Sequence, residues 1–195
     1  MLAERPGHET LRARMGEKLV FESTMDSLVR QLGRPLSPAH VLALAGMGVE
    51  TSRKLEPAYP VETYTAVLDY VASQRWPSLP PDEAHFELGK AFLDVFMEAT
   101  LTGRALRVVA KTFGPHRVLE RMARNFHGAN NYTKTKLKRL GPTSYELWFN
   151  YAVRTGYFRG LLTEALELAG AEQLEVRLVG TTPEQAATFL IQWAE

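Results

Sequence analysis

Hydrophobic residues recur at helical spacing through the first two thirds of the chain. Met25, Leu28, Val29 and Leu32 lie three or four positions apart, which predicts a helix over 22–32. A short strand is predicted before it, at 18–21, and a two-proline turn is predicted at 56–60. The same spacing, with its capping and breaking residues, predicts further helices over 38–45, 61–73, 82–101, 104–113 and 115–126.

Alternation of period two replaces helical spacing after residue 130. It predicts strands over 130–140 and 144–153, joined at Gly141–Pro142, and two more strands near 174–178 and 187–193. A helix over 157–169 separates the two pairs, so the C-terminal third has ββαββ order. We therefore predict one α+β domain over 18–195, in which a helical part to about residue 128 packs on an antiparallel sheet formed within 130–195.

Composition narrows the class of protein. A chain of 195 residues suits one domain, and its lack of cysteine excludes disulfides and thiolate chemistry. No apolar run approaches the roughly 18 residues of a membrane span. The charged N-terminus is unlike a secretory signal, so we expect a cytoplasmic protein whose residues 1–17 form a mobile segment.

Positive charge is concentrated in one part of the chain. Between Arg104 and Arg139 there are ten Lys or Arg residues and a single acid, Glu120, although the net charge of the chain is only +1. Helix and strand spacing places nine of these cations in three rows, which are the candidate anion-binding residues: Arg104, Arg107 and Lys111; Arg117, Arg121 and Arg124; Lys134, Lys136 and Lys138.

Two interpretations of these rows remain open. They form a binding face for the phosphate or carboxylate groups of nucleic acid or an anionic nucleotide, or they form a solvated face neutralised by the acidic remainder. The near-neutral balance of the whole chain makes nucleic acid the less favoured partner.

An aromatic cluster in the C-terminal third is the second candidate site. Tyr145, Trp148, Phe149 and Tyr157 either line an apolar pocket or fill a core. The chain has no Gly-x-Ser-x-Gly or His-Glu-x-x-His motif, and the segment GYFRG is too short for a phosphate loop. We therefore predict no catalytic residue, no metal site and no cofactor.

Five segments carry a resemblance over nearly the whole chain: LVFESTMDSLVRQLG, GMGVETSRKLEPAYPVETY, EAHFELGKAFLDVFMEATLTGRAL, FGPHRVLERMARNFHGANNY and FRGLLTEALELAGAEQLEVRLVG. They resemble an uncharacterised paralogous family that is expanded in myxobacteria, which implies the fold but no catalytic residues. The order of elements is also similar to the ligand-binding fold of vinyl-reductase-like domains, haem nitric-oxide sensors and trafficking-complex subunits. The Tyr-x-Ser-x-Arg motif of the haem sensors is replaced here by SYELWFNYAVR.

These observations predict a non-enzymatic regulatory or interaction module. It would bind a protein partner or a small ligand, and it would associate with itself through a helix face or sheet edge. The alternative is a binder of nucleic acid or an anionic nucleotide that uses the basic segment 104–139.

Overall fold

The computed structural model describes residues 16–99 and 101–194, with side chains throughout except at 99, 101–103, 106–107 and 109–111. Residues 1–15 of the predicted mobile segment lie outside this part. The α+β prediction is confirmed, because six helices combine with an antiparallel four-stranded sheet in the described residues. None of the described helices is long and apolar enough to cross a membrane.

The helices follow the hydrophobic spacing of the sequence to within about one turn at each end. In chain order they are α1 (Glu22–Val29), α2 (Pro38–Gly46), α3 (Val61–Arg75), α4 (Pro81–Ala99), α5 (Leu101–Asn125) and α6 (Thr155–Leu168), with 3₁₀ turns at Arg30–Leu32 and Phe126–Gly128. Gly114 divides α5 into two helices, with φ 72° and ψ 174°, a conformation open to glycine. Pro115 then occupies the first turn of the second half, as predicted.

A short two-stranded sheet lies at the start of the fold. β1 (Leu19–Phe21) pairs antiparallel with β2 (Ala58–Pro60). The interpretation of 56–60 as a turn is therefore wrong. Pro60 is tolerated in β2 because the strand pairs on one side only, and Tyr59 beside it is buried.

The C-terminal sheet confirms the ββαββ order. Its strands are β3 (Thr135–Gly141), β4 (Ser144–Phe149), β5 (Glu175–Thr181) and β6 (Ala187–Gln192), in the spatial order β3-β4-β6-β5 and all antiparallel. α6 lies between β4 and β5 in the chain. The buried face of the two central strands carries Tyr145, Leu147 and Phe149 on β4 with Phe189 and Ile191 on β6.

The first of these strands begins later than its alternation predicts. The Asn130 side-chain oxygen accepts hydrogen bonds from the backbone amides of Tyr132, at 3.1 Å, and Thr133, at 2.7 Å. This local turn keeps 132–134 out of the four-stranded sheet, because the amide groups of these residues bond to the side chains of Asn130 and Asn150. Asn131 instead donates its amide hydrogen to the Leu19 carbonyl oxygen of β1.

The long helices α4 and α6 run parallel, with their backbones in contact. A Cβ built on Gly160 would lie 2.0 Å from the carbonyl oxygen of Phe86, and one on Gly89 would lie 2.2 Å from that of Tyr157. Gly156 is blocked by α4 in the same way. The glycines of GYFRG therefore allow two helices to approach closely and hold the helical part against the C-terminal part.

Candidate functional site

A cavity of about 280 Å³ lies among the helices and the loops near residues 130 and 152. α1, α3, α4, the second half of α5 and α6 contribute to its walls. Three of these helices each present two residues four positions apart, which places both on one helix face. These pairs are Tyr64 and Leu68 on α3, Phe92 and Phe96 on α4, and Tyr157 and Leu161 on α6.

Aromatic rings supply much of the wall. Phe92 stacks with Phe96 at a centroid distance of 6.0 Å and meets Tyr157 edge-on at 5.6 Å. Phe126 lies 6.3 Å from Phe158 on another part of the lining. Such a wall accepts an apolar molecule without leaving many polar groups unpaired.

Two phenol groups provide a polar point within this wall. The Tyr64 hydroxyl donates a hydrogen bond to the Tyr157 hydroxyl at 3.1 Å, and both rings are buried. Burial raises the pKa of Tyr64 and Tyr157 well above the ordinary value, so both stay neutral near pH 7. One hydroxyl hydrogen of the pair is not used in the bond between them. It is available to a ligand, as are the oxygen lone pairs.

A charged network borders the cavity at Arg154. Its guanidinium binds both carboxylate oxygens of Asp69, with 2.7 Å between Nε and Oδ1, and His85 Nε2 lies 2.8 Å from the same Oδ1. Burial raises the pKa of the Asp69 carboxyl, but the hydrogen bonds and charges of Arg154 and His85 outweigh it. The pKa of Asp69 therefore lies below its ordinary value. The network joins α3, α4 and the residue that precedes α6.

Acid is expected to weaken the fold through Asp69. The pKa of Asp69 in the folded protein lies below its value in the unfolded chain, which is about 3.9. The stabilisation of the fold by the ionised Asp69 carboxylate is therefore complete above about pH 3.9, and it is lost as the pH falls through the native pKa. Asp69→Asn should therefore make the free energy of unfolding fall less steeply below about pH 4. Arg154→Lys keeps the charge but not the two-pronged contact, and should give an intermediate slope. Denaturant unfolding at several pH values measures this, and an unchanged slope in Asp69→Asn would contradict it.

The first row of candidate anion-binding residues lies on the first half of α5. Arg104 is exposed, and its guanidinium donates to the carbonyl oxygen of Glu98 at 3.4 Å. The side chains of Arg107 and Lys111 lie outside the described part of the chain. Whether this row binds an anion stays a prediction.

The other rows are divided among separate surfaces. Arg117 lies over the Phe113 ring at 5.2 Å, and Lys136 lies over the Trp148 ring at 5.1 Å. Lys138 is exposed on β3. These cations therefore do not converge on one position.

Three cations of the same rows border concave surfaces. Arg121 contributes to the wall of the cavity described above. Arg124 and Lys134 instead border a second, more open cleft of about 410 Å³ between α5 and β3.

The four aromatic candidates are also placed apart. Tyr157 lines the cavity, whereas Tyr145, Trp148 and Phe149 do not border it in the described structure. β4 directs Tyr145 and Phe149 to its buried face and Trp148 to the opposite face. Tyr64 lies on the helix predicted over 61–73, where spacing indicates burial but not a place in a cavity wall.

Solved structures similar to this chain include H-NOX domains. The Fe(II) unliganded H-NOX protein from K. algicida is 12% identical with a TM-score of 0.63, over 90% of this chain and 97% of that one. An oxygen-binding H-NOX domain related to soluble guanylate cyclases is 16% identical with a TM-score of 0.63, over 89% and 92%. A structure described as "Modulating Heme Redox Potential Through Protein-Induced Porphyrin Distortion" is 18% identical with a TM-score of 0.58, over 89% of this chain and 95% of that one.

At these identities the likeness is one of fold, and it confirms the similarity to the haem nitric-oxide sensor fold. No curated protein sequence matches the chain. The model of the family described as "Protein of unknown function (DUF2378)" matches residues 18–194. The chain belongs to this family, as the resemblance to an uncharacterised family implies.

Proposed function

We propose that this chain is a regulatory sensor domain that binds a small, largely apolar molecule in the cavity among its helices. The observation that carries the proposal is the preformed cavity, which combines aromatic walls with the Tyr64–Tyr157 hydroxyl pair. The oxygen-binding H-NOX domain supports it, since that protein holds a ligand within a similar fold. Ligand occupancy would then be read by a protein partner or by a second copy of the chain.

The proposed module does no chemistry on its ligand. Among the described residues that line the cavity there is no histidine, carboxylate or cysteine. The hydroxyl groups that line the cavity belong to serine, threonine and tyrosine. Such a hydroxyl needs a base beside it to act as a nucleophile, and histidine and carboxylate are the usual bases. Arg154 is already paired with Asp69, which leaves it no proton-transfer role.

Haem does not fit the residues present. Proteins bind haem iron through histidine, cysteine, methionine or tyrosine, and neither of the first two lines this cavity in the described structure. Tyr64 and Tyr157 bond to each other, and Tyr132 and Tyr151 are the other tyrosines of the described lining. Burial raises the pKa of all four, so the phenolate that ligates iron is disfavoured. Met122 remains as a lone thioether. A cavity of about 280 Å³ also lies at the small end of the roughly 300–1,000 Å³ typical of ligand pockets.

The same size and chemistry define the expected ligand. We expect one ring or a short chain that carries a hydroxyl group, with the polar group at the tyrosine pair and the apolar part against Phe92 and Phe96. A longer molecule would exceed the cavity, and a cation would find no carboxylate in the described lining.

Filling the cavity is expected to abolish ligand binding. Phenol, indole and 1-hexanol should each raise the thermal unfolding midpoint of the wild-type protein in proportion to occupancy. Val153 lines the cavity and is not fully buried, so Val153→Phe should occupy the space and remove these shifts. Val179→Phe adds the same volume at a residue on β5 that is 52% exposed, and should keep them.

A separate variant tests the role of the Tyr64–Tyr157 hydroxyl pair in binding. Tyr157→Phe should weaken phenol binding about two- to tenfold, the range for one neutral hydrogen bond, and should leave toluene binding unchanged. The proposal is wrong if no probe stabilises the wild type, or if Val153→Phe and Val179→Phe respond alike.

A further inference from the structure

The cleft between α5 and β3 is separate from the proposed ligand cavity. Its volume is about 410 Å³, and its lining comes from the last turns of α5, the 3₁₀ turn after it, and the start of β3. Its charged side chains are Arg124 and Lys134, with Glu120 as the one carboxylate of the described lining, and His127 adds an imidazole. All four are exposed, so the cleft is open to a ligand in solution.

Nitrogen-bearing side chains from three different segments meet at this cleft. Arg124 lies in the last turn of α5, His127 lies in the 3₁₀ turn and Lys134 directly precedes β3. In the described structure neither Arg124 nor Lys134 forms an ion pair, in contrast to Arg154 or Lys90. Arginine binds an oxyanion through two parallel hydrogen bonds, and lysine adds a point charge. This combination is suited to phosphate.

The walls of the cleft are tied to the rest of the fold. The Thr135 hydroxyl donates to the carbonyl oxygen of Ala123, which joins β3 to α5. The backbone amide of Lys134 donates to the Asn150 side chain at 2.6 Å, which joins the same segment to the end of β4. The backbone that carries Arg124 and Lys134 is therefore held in place, which reduces the conformational entropy lost when an anion binds.

Thr133 supplies an observation independent of the charges. It lines the cleft and is 7% exposed, yet its buried hydroxyl has no hydrogen-bond partner among the described residues. A buried hydroxyl without a partner is costly, and rotation about the Cα–Cβ bond is enough to aim it at a new acceptor. The partial negative charge at the C-terminal end of α5 favours a cation in its last turn, which accounts for Arg124. It accounts for neither Lys134 nor the Thr133 hydroxyl.

From this arrangement we infer a second ligand site, which binds the phosphate group of a small phosphomonoester. Arg124 and Lys134 balance its two negative charges, and the Thr133 and His127 side chains donate hydrogen bonds to its oxygens. The cleft exceeds the volume of the phosphate itself, so the attached group lies on the apolar surface of Ala123 and Leu137. This site works independently of the cavity and of its proposed ligand.

NMR titration tests the site, with inorganic phosphate and phenyl phosphate as probes at constant ionic strength. The amide signals of residues 124–127 and 133–135 are expected to shift together, and the two probes distinguish free phosphate from an ester. Arg124→Gln and Lys134→Gln should each weaken binding about tenfold or more, as loss of a charged hydrogen bond does. Lys138→Gln removes an exposed lysine outside the cleft and should change binding little.

Thr133→Val separates ligand recognition from folding. It removes the unpartnered hydroxyl, so it should weaken phosphate binding while the free energy of unfolding stays the same or rises. Val153→Phe should leave phosphate binding intact, which keeps this result apart from the test of the cavity. Absence of shifts at 124–127 and 133–135, or equal loss in Lys134→Gln and Lys138→Gln, would overturn the inference. Equal loss would point to diffuse attraction by the whole basic surface, as a single-stranded oligonucleotide would show.

Discussion

Gly160→Ala is expected to destabilise the protein by about 1–3 kcal/mol or more, because the added carbon meets backbone rather than a movable side chain. Its Cβ would lie 2.0 Å from the Phe86 carbonyl oxygen, far inside contact distance. α4 and α6 would have to separate along their length, and the buried residues between them would lose contacts. Denaturant unfolding of the purified variant measures the loss.

Gly46→Ala is the matched control. Gly46 ends α2, and a Cβ built there meets nothing within 4 Å. Alanine is favoured over glycine in a helix by roughly 0.5–1 kcal/mol, so this variant should be neutral or slightly more stable. Equal losses at Gly46 and Gly160 would show that glycine flexibility, and not the close contact of α4 with α6, governs the result.

Phe149→Ala is expected to cost about 3–5 kcal/mol, the range for removing a fully buried aromatic ring. Phe149 is 0% exposed, and its ring meets Phe126 at 4.9 Å, Phe158 at 5.0 Å and Phe189 at 5.8 Å. Removing it would open a void where β4, β6, α6 and the 3₁₀ turn after α5 come together.

The neighbouring Trp148 provides the comparison. It lies on the opposite face of β4 and is not fully buried, with Lys136 over its ring. Trp148→Ala should therefore cost less than Phe149→Ala, although tryptophan is the larger residue. A thermal or denaturant series that reversed this order would show that the buried face of the sheet has been assigned wrongly.

Much of the fold could be predicted because periodicity reports local burial. The spacing of Met25, Leu28 and Val29 marks one helix face, and the alternation of Tyr145, Leu147 and Phe149 marks one face of a strand. β2 was missed because two prolines within four residues, Pro57 and Pro60, resemble a turn. Nothing local shows that β1, some forty residues earlier, offers a partner.

The cavity could not be predicted in the same way. Tyr64 and Tyr157 are separated by 93 positions, and spacing says that each is buried without saying that their hydroxyls meet. The basic rows show the same difficulty. Sequence places Arg121 and Arg124 on one helix face, whereas in the fold one borders the cavity and the other the cleft.

The glycine contact also determines how the cavity can change shape. α4 and α6 supply Phe92 and Tyr157 to the same wall, and because their backbones are in contact we expect the two helices to move together. We therefore expect expansion or contraction around different ligands to come from α1, α3, α5 or the loops that face this pair. Relatives that retain these glycines would then differ in ligand preference through residues on those elements, with the joined helices as the shared and unchanging side of the site.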